Sequence, residues 1–450
     1  MTLNHREYAP SLHTIRKELE WLKQVIEFRF NNYFTSEEDL SIDQVKPSSL
    51  EEDKSLYAEL IQENAFNLDE RVILLMALAV HVSPSIYDIF FARNTNLDRG
   101  FTVFGGVTND SHNGFLPTGD TVAFVLCGRD LVKRFELLDY FSDDHVFHKK
   151  NILKLSGVKD DQPLFNGSLS ISREYLSLLA QGRIYRPQYT STFPAKLLTT
   201  QMDWGEGIYD EHTFNQLEEA RTWIKHGKEI MEREILQRYL KKGYRMLFHG
   251  PPGTGKTMTA SIMGKDAELD VYQVDLSAVV SKYIGETEKN LAGVFNLAEN
   301  KKWILFFDEA DALFGKRTQV QNSNDQFINQ QMGYLLQRIE DFDGIIILAT
   351  NFKDNIDSAF LRRFQSVVYF PKPKLDQRLK LWEKYFNDVF DMSSIDLGSI
   401  AKEYEITGGG IINVLRYCTI AARQRGGDTI ELEDIQKGIN KEFQKEGMTI

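Results

Sequence analysis

Cysteine is nearly missing from this sequence. Cys127 and Cys418 are the only two in 450 residues, far apart and without CxxC or metal-ligand spacing. That excludes a disulfide framework or a cysteine zinc site and fits a reducing compartment. HExxH is absent as well, and with it the zinc-protease helix. His145 and His148 could share a helix face, but no ligand partner is evident, so both read as surface residues. An excess of positive charge is lacking too: 53 Lys and Arg stand against 65 Asp and Glu, a formal net charge of -12. A chain held on nucleic acid or an anionic membrane by a general positive field is therefore not expected, although a local basic groove stays open. Long apolar runs are missing. The longest, "VILLMALAV" from Val72 to Val80, is about half of what spans a bilayer and suits a buried helix. The opening "MTLNHREYAP" has no apolar core, so a secretory signal is not expected. Together these absences point to a soluble cytoplasmic protein with no membrane partner, and they weigh against nucleic acid.

The length predicts two or three domains. In the first stretch, Leu12, Ile15, Leu19, Leu22 and Ile26 recur at helical steps. They predict an amphipathic helix that packs on its own domain or meets a partner. "LDERVILLMALAVHV" reads as a central helix with Asp69 and Glu70 in its first turn, and "RGFTVFGGVTNDSHNGFLPTGD" as turns and short extended pieces. "NILKLSG" and "GSLSIS" read as strands joined by a loop, and "REYLSLLAQG" as a helix closed by Gly182. Helices followed by a hairpin make the N-terminal part a mixed α+β unit, with a winged-helix-like fold as one arrangement. "RPQYTSTFPAKLLTTQMDWGEG" has breakers and no period, which puts a domain boundary near residue 200. A charged helix is expected from Leu217 to about Lys242. Five apolar runs then alternate with helical segments: "YRMLFH", "DVYQVDL", "WILFFD", "GIIILAT" and "SVVYF". Unbroken runs of this kind are buried parallel strands, and the alternation predicts an α/β sheet. After Pro373 only helical patterns remain.

"GPPGTGKT", Gly250 to Thr257, follows the first of these strands and opens a helix. It fits G-x-x-x-x-G-K-[ST], in which backbone N–H groups and a helix N-terminus hold phosphates. Gly250, Pro251, Pro252, Gly253, Thr254, Gly255, Lys256, Thr257 and Met258 make up the expected ATP-binding run. Lys256 would reach the β- and γ-phosphates, and Thr257 would place its hydroxyl on Mg²⁺. "WILFFDEAD" supplies Asp308 for the Mg²⁺ shell and Glu309 to polarise the attacking water. Two adjacent carboxylates after a buried strand otherwise cap the next helix, or stay costly without a cation to face. "GIIILATN" ends in Asn351, which can hold the water or a γ-phosphate oxygen, or serve as an ordinary strand-end turn residue. "SAFLRRFQS" offers Arg362 and Arg363. Paired arginines are usually a solvated face, but an arginine brought by a neighbour can accelerate phosphoryl transfer roughly 10³–10⁵-fold.

Taken together, these motifs resemble the AAA+ ATPases from about Asp203 to the C-terminus: a Walker A loop, a Walker B strand from Ile304 to Glu309, a sensor-1 Asn351 and an arginine-finger region. The resemblance implies a P-loop NTPase sheet of order 5-1-4-3-2 and ATP with Mg²⁺ as cofactors. It also implies a homo-oligomeric ring, usually a hexamer, with ATP bound between subunits. A small all-helical lid is implied as well, whose "TGGGI" brings Gly409 near the base. The expected domains are an N-terminal partner- or substrate-recognition domain at 1–200, a large α/β ATPase subdomain at 201–372 and the lid at 373–450. "KYIGE", with Lys282, Tyr283, Ile284 and Gly285, looks like the pore loop of the katanin and spastin branch, with Tyr283 and Ile284 gripping substrate. "RRFQS" departs from the family's two-arginine spacing: Arg363 aligns as the finger, Arg362 as the weaker choice, and Ser366 takes the second place. Absence of HExxH excludes the membrane-protease branch. "DWGEGIYDEHTFNQLEEARTWIKHG", "FDEADALFGKR" and "RGFTVFGG…GFLPTGD" are similar to bacterial AAA+ proteins found with phage-tail-like contractile injection systems, which implies a particle component as protein substrate.

Three functions compete. One is an ATP-driven remodeller that pulls a polypeptide with Tyr283. Another is an ATP-switched assembly or binding protein that grips a partner without threading it. The third, a nucleic-acid motor or loader, is disfavoured by the acidic balance and the lack of a basic stripe.

Overall fold

The structure is a computed structural model. It describes residues 9–36, 38–96, 98–109, 112–158, 161–183, 185–191, 193–279, 286–299, 301, 303–310, 333–352, 358–392 and 394–445. The chain divides into two compact units, Met1–Arg186 and Pro187–Ile450. The boundary therefore lies before the expected position near residue 200. Ala195–Leu198 is a strand at the edge of the second unit's sheet, paired antiparallel with Asp270–Val274. Four residues between breakers are too short to show a period, and only pairing with a partner far along the chain reveals them.

The first unit is mixed α+β. Its long helix Ala9–Thr35 buries Ile15, Leu22, Val25 and Ile26, while Leu12 at the start of the predicted stripe is 58% exposed. Leu68–Val82 is buried over most of its length and is closed at its N-terminus by a reciprocal Asn67–Glu70 capping box. The predicted hairpin pairs Leu153–Ser156 with Ser168–Ile171, and Arg173–Gln181 ends at Gly182 in the left-handed region. His145 is more than a surface residue. Its Nδ1 accepts from the N–H of Phe147, which leaves the Nε2 proton to meet Glu70 Oε1 at 3.0 Å.

A buried ion pair ties the two long helices of this unit together. Arg71 Nε donates to Glu18 Oε2 at 2.7 Å, Tyr57 Oη donates to the same oxygen at 3.0 Å, and Ser48 Oγ donates to Oε1 at 3.2 Å. Glu18 is fully buried, so its charge is tolerable only with these donors in place. Arg71→Met is expected to destabilise the unit by about 3–5 kcal/mol, the usual cost of stranding a buried charge. Hydrogen exchange of the Leu68–Val82 amides in the full chain checks this. Protection equal to that of the native chain would mean that the pair contributes little.

The second unit carries the expected sheet. Its parallel strands are β1 (Tyr244–His249), β2 (Asp270–Val274), β3 (Trp303–Phe307), β4 (Ile345–Thr350) and β5 (Ser366–Tyr369). They lie in the order β5-β1-β4-β3-β2, with the antiparallel strand Ala195–Leu198 outside β2. Alternate side chains feed two cores. Leu305 and Phe307 pack with Leu291, Phe295, Leu335 and Ile339, whereas Ile304 and Phe306 pack with Leu217, Ala220, Ala260 and Met263. Strands buried on both faces read as unbroken apolar runs for this reason. The charged helix expected from Leu217 to Lys242 instead starts at Glu211 and ends at Met231. Its start is set by the Asp210 carboxylate, which accepts from the N–H groups of His212 and Thr213. After the sheet, Leu375–Asn387, Leu397–Glu403, Gly408–Gln424 and Leu432–Lys445 form a separate helical core around Trp382, Phe386, Val414 and Ile435. Among the described residues no single helix is long and apolar enough to cross a membrane.

Candidate nucleotide site

The C-terminal ends of β1, β3 and β4 bring the phosphate loop, Asp308 and Asn351 to one edge of the sheet. Gly250 at the end of β1 has φ +145°, and a Cβ there would stand 2.1 Å from the Phe370 carbonyl oxygen. Only glycine fits so close to the neighbouring strand. Gly253 has φ +73°, and a Cβ on it would meet Thr407 Oγ at 2.6 Å. Neither position has room for a side chain, which lets the loop pass close to both neighbours, and the helix Lys256–Asp266 begins directly behind them.

Lys256 is 7% exposed. Its Nζ donates to the carbonyls of Gly250 (2.7 Å) and Pro251 (2.9 Å) and to Asn351 Oδ1 (2.9 Å). Thr257 Oγ donates to Asp308 Oδ2 at 3.1 Å, and Gln273 Nε2 reaches the same oxygen at 3.4 Å. Asp308 Oδ1 accepts from the backbone N–H of Glu309 at 3.0 Å. Glu309 has φ +51°, a conformation that costs a non-glycine residue energy and concentrates at functional sites. The next residue is fixed, since Ala310 N–H donates to the Ala349 carbonyl at 2.9 Å.

A cavity of about 390 Å³ joins these groups. Its polar wall is the phosphate loop with Asp308, Glu309 and Asn351, and its apolar wall includes Ile208, Tyr209, Leu381, Tyr385 and Ile412. The helical subdomain closes directly on the loop: Gly409 N–H donates to the Gly253 carbonyl at 2.9 Å, and Thr407 caps the helix Gly408–Gln424. Tyr209 braces the loop from the other side. Thr259 Oγ donates to the Gly255 carbonyl at 2.8 Å, so the phenol O–H of Tyr209 is the donor in its 3.0 Å contact with Thr259. Burial pushes the Tyr209 phenol above its usual pKa, against the Thr259 hydrogen bond, which lowers it.

The residues present fit a nucleoside triphosphate with Mg²⁺. A buried ammonium and a helix N-terminus face the glycine cradle. A hydroxyl and a carboxylate stand together as hard oxygen donors of the kind Mg²⁺ takes.

The structure brings together Pro252 to Met258, Asp308, Glu309, Asn351 and Gly409 on one cavity; Gly250 and Pro251 lend their carbonyls to Lys256. Arg362 and Arg363 do not line it. Both are exposed after the short helix Ser358–Leu361, and Arg363 Nε pairs with Glu340 Oε1 at 2.6 Å. Lys282, Tyr283, Ile284 and Gly285 lie outside the described residues. Pattern reading missed the apolar wall. Ile208 and Tyr209 sit in "GEGIYDEH" between breakers, and Leu381 and Tyr385 lie on a helix otherwise read as lid core.

Residues 246–372 match the ATPase family associated with various cellular activities (AAA). The chain is 32% identical over 253 residues to an uncharacterized AAA family ATPase of Sinorhizobium fredii, covering 53% of this chain and 74% of that protein. It is 35% identical over 204 residues to the proteasome-activating nucleotidase of Aeropyrum pernix, covering 44% of this chain and 50% of the relative. With the cell division protein C of Sulfolobus acidocaldarius the identity is 36% over 169 residues, 36% of this chain and 45% of that one. The chain thus spans about half the length of the nucleotidase it matches.

Proposed function

The chain belongs to the AAA family of ATPases, and from that premise we propose that it hydrolyses ATP to rearrange a protein partner, acting as a ring of identical subunits, most simply a hexamer. The observation that carries the ATPase reading is the single cavity shared by Lys256, Thr257, Asp308, Glu309 and Asn351. Lys256 takes the β- and γ-phosphate charge, and Thr257 and Asp308 hold the Mg²⁺. When bound, that ion neutralises phosphate charge and orients the terminal phosphate. Glu309 accepts a proton from the attacking water, and Asn351 turns from Lys256 to the water or a γ-phosphate oxygen. The apolar wall around Ile208, Leu381 and Ile412 suits the flat face of a base.

The ring is supported by what the cavity lacks. Among the described residues that line it there is an ammonium but no arginine, while Arg363 stands exposed elsewhere on the same unit. A neighbouring copy's Arg363 would complete the site, with Arg362 as the second choice. Mixing tests this reading. Lys256→Ala and Arg363→Ala subunits are each expected to be nearly inactive alone. Together they should recover part of the ATPase rate, because some junctions then hold an intact loop and an intact finger. No recovery in demonstrated mixed rings would sink the finger in trans.

The remodelling step is proposed from "KYIGE" and from the relatives whose names tie them to proteasome activation. Tyr283→Ala would leave basal ATPase in place and abolish rearrangement of a partner, whereas Tyr283→Phe would keep it, since grip needs the ring's apolar face. If both variants still make a folded partner protease-sensitive in ATP, Tyr283 is not the grip; if the native chain itself leaves that partner protease-resistant in ATP, the ATP-switched assembly reading replaces threading. The first unit is proposed as the partner-recognition domain. A contractile-injection-system particle as the partner rests on the quoted sequence segments alone.

A further inference from the structure

One buried arginine has no part in the nucleotide chemistry. Arg245 lies in β1, the strand that leads into the phosphate loop, and is 3% exposed. A guanidinium inside a sheet is costly unless its donors are used. Its Nε donates to the carbonyl of Ile339 and its Nη2 to the carbonyl of Glu340, both at 2.8 Å. These carbonyls close the helix covering 333–341, where intrahelical donors run out and a cation is favoured. Burial pulls the Arg245 pKa down, and the carboxylates of Glu340, Asp341 and Asp343 oppose that shift.

The backbone of Arg245 is held as well. Its N–H donates to Gln365 Oε1 at 2.8 Å, and its carbonyl accepts from the Gln365 N–H at 3.0 Å. Arg245 therefore touches both partners of the exposed Arg363. Glu340 pairs with that side chain, and Gln365, two positions along, anchors the backbone it stands on. The ion pair engages Nε of Arg363 and leaves its Nη nitrogens without a hydrogen bond among the described residues. Those nitrogens form the edge of the fork that meets phosphate oxygens.

We propose that Arg245, Glu340 and Gln365 form a cradle that positions Arg363 for a neighbouring subunit's nucleotide, with Arg245 as its buried anchor. All three are positioning residues, and the inference rests on the reading of Arg363 as a finger. The cradle aims the guanidinium without touching the cavity of its own subunit, so its loss slows turnover and spares nucleotide binding.

The test uses the full chain at concentrations where rings are assembled. Arg363→Ala, Gln365→Leu, Glu340→Gln, Arg245→Met and the double variant Gln365→Leu with Arg363→Ala are compared. A fluorescent ATP analogue with Mg²⁺ gives affinity, and steady-state phosphate release gives kcat. Gln365→Leu and Glu340→Gln are expected to lower kcat about ten- to a hundredfold, the scale of a misplaced catalytic group, with Kd within about twofold of native. In the Arg363→Ala background, Gln365→Leu should add nothing further, which a merely structural role would not predict. Additive losses, or kcat and affinity falling together, overturn the cradle. Native kcat in both Gln365→Leu and Glu340→Gln, beside a slow Arg363→Ala, overturns it while sparing the finger. Native kcat in Arg363→Ala removes the finger and the cradle with it. If Arg245→Met does not fold, the exposed Gln365 and half-buried Glu340 carry the test.

Discussion

Lys256→Ala should lose nucleotide binding while keeping its fold. The Nζ of Lys256 donates, among the described residues, to two loop carbonyls and to Asn351, so it is already placed where phosphate charge would arrive. Its aim is set by the loop and not by a flexible tail, which means little ordering is needed on binding. Truncating one partner of a buried, hydrogen-bonded charge pair costs about 2–5 kcal/mol, or roughly thirty- to several-thousandfold in affinity. Titration calorimetry with a slowly hydrolysed ATP analogue and Mg²⁺ reads the loss directly. Lys256 itself lines the cavity, so water can enter the space it vacates and reach the two carbonyls, and thermal unfolding should move little. Native affinity in this variant would end the assignment of the loop, and a collapse of the fold would make Lys256 a structural residue.

Much of this site was legible in the sequence because its chemistry is local. Gly250 to Thr257 bend the chain, bind phosphate and start a helix within one short run, and the apolar strand before Asp308 and Glu309 carries them to the sheet edge. The five strands were legible for the same reason, since burial on both faces leaves no alternation to misread. What stayed hidden depends on contacts between distant segments. Ala195–Leu198 becomes a strand only by pairing with β2. Arg245 looks like an ordinary charge in "YRMLFH" until the carbonyls of Ile339 and Glu340 are brought to it. The positive φ of Glu309 could not be read from its type, because glutamate has no preference for that region. Asn351 was open between a turn residue and a site residue, and its hydrogen bond from Lys256 places it on the cavity.

Glu309→Gln should separate binding from hydrolysis. The substitution keeps the length and shape of the side chain, so the left-handed turn between Asp308 and Ala310 is asked to hold nothing new. The contacts that define the nucleotide cradle come from Lys256, Thr257 and Asp308, and none of them uses the Glu309 side chain. Affinity for ATP with Mg²⁺ should therefore stay near native. Turnover should fall about 10²–10⁴-fold, the usual worth of a positioned general base, because an amide cannot accept the proton that water must lose. Single-turnover hydrolysis, measured beside equilibrium binding on the same preparation, distinguishes this from a binding defect. Glu309→Asp is the sharper companion. It keeps the carboxylate but draws it back by one methylene, so it should recover only part of the rate. Full turnover in Glu309→Gln would move the base elsewhere and leave Glu309 with a structural part in the strained turn after β3. A variant that binds ATP and does not hydrolyse it is also the form in which a partner of the proposed ring would stay bound long enough to be identified.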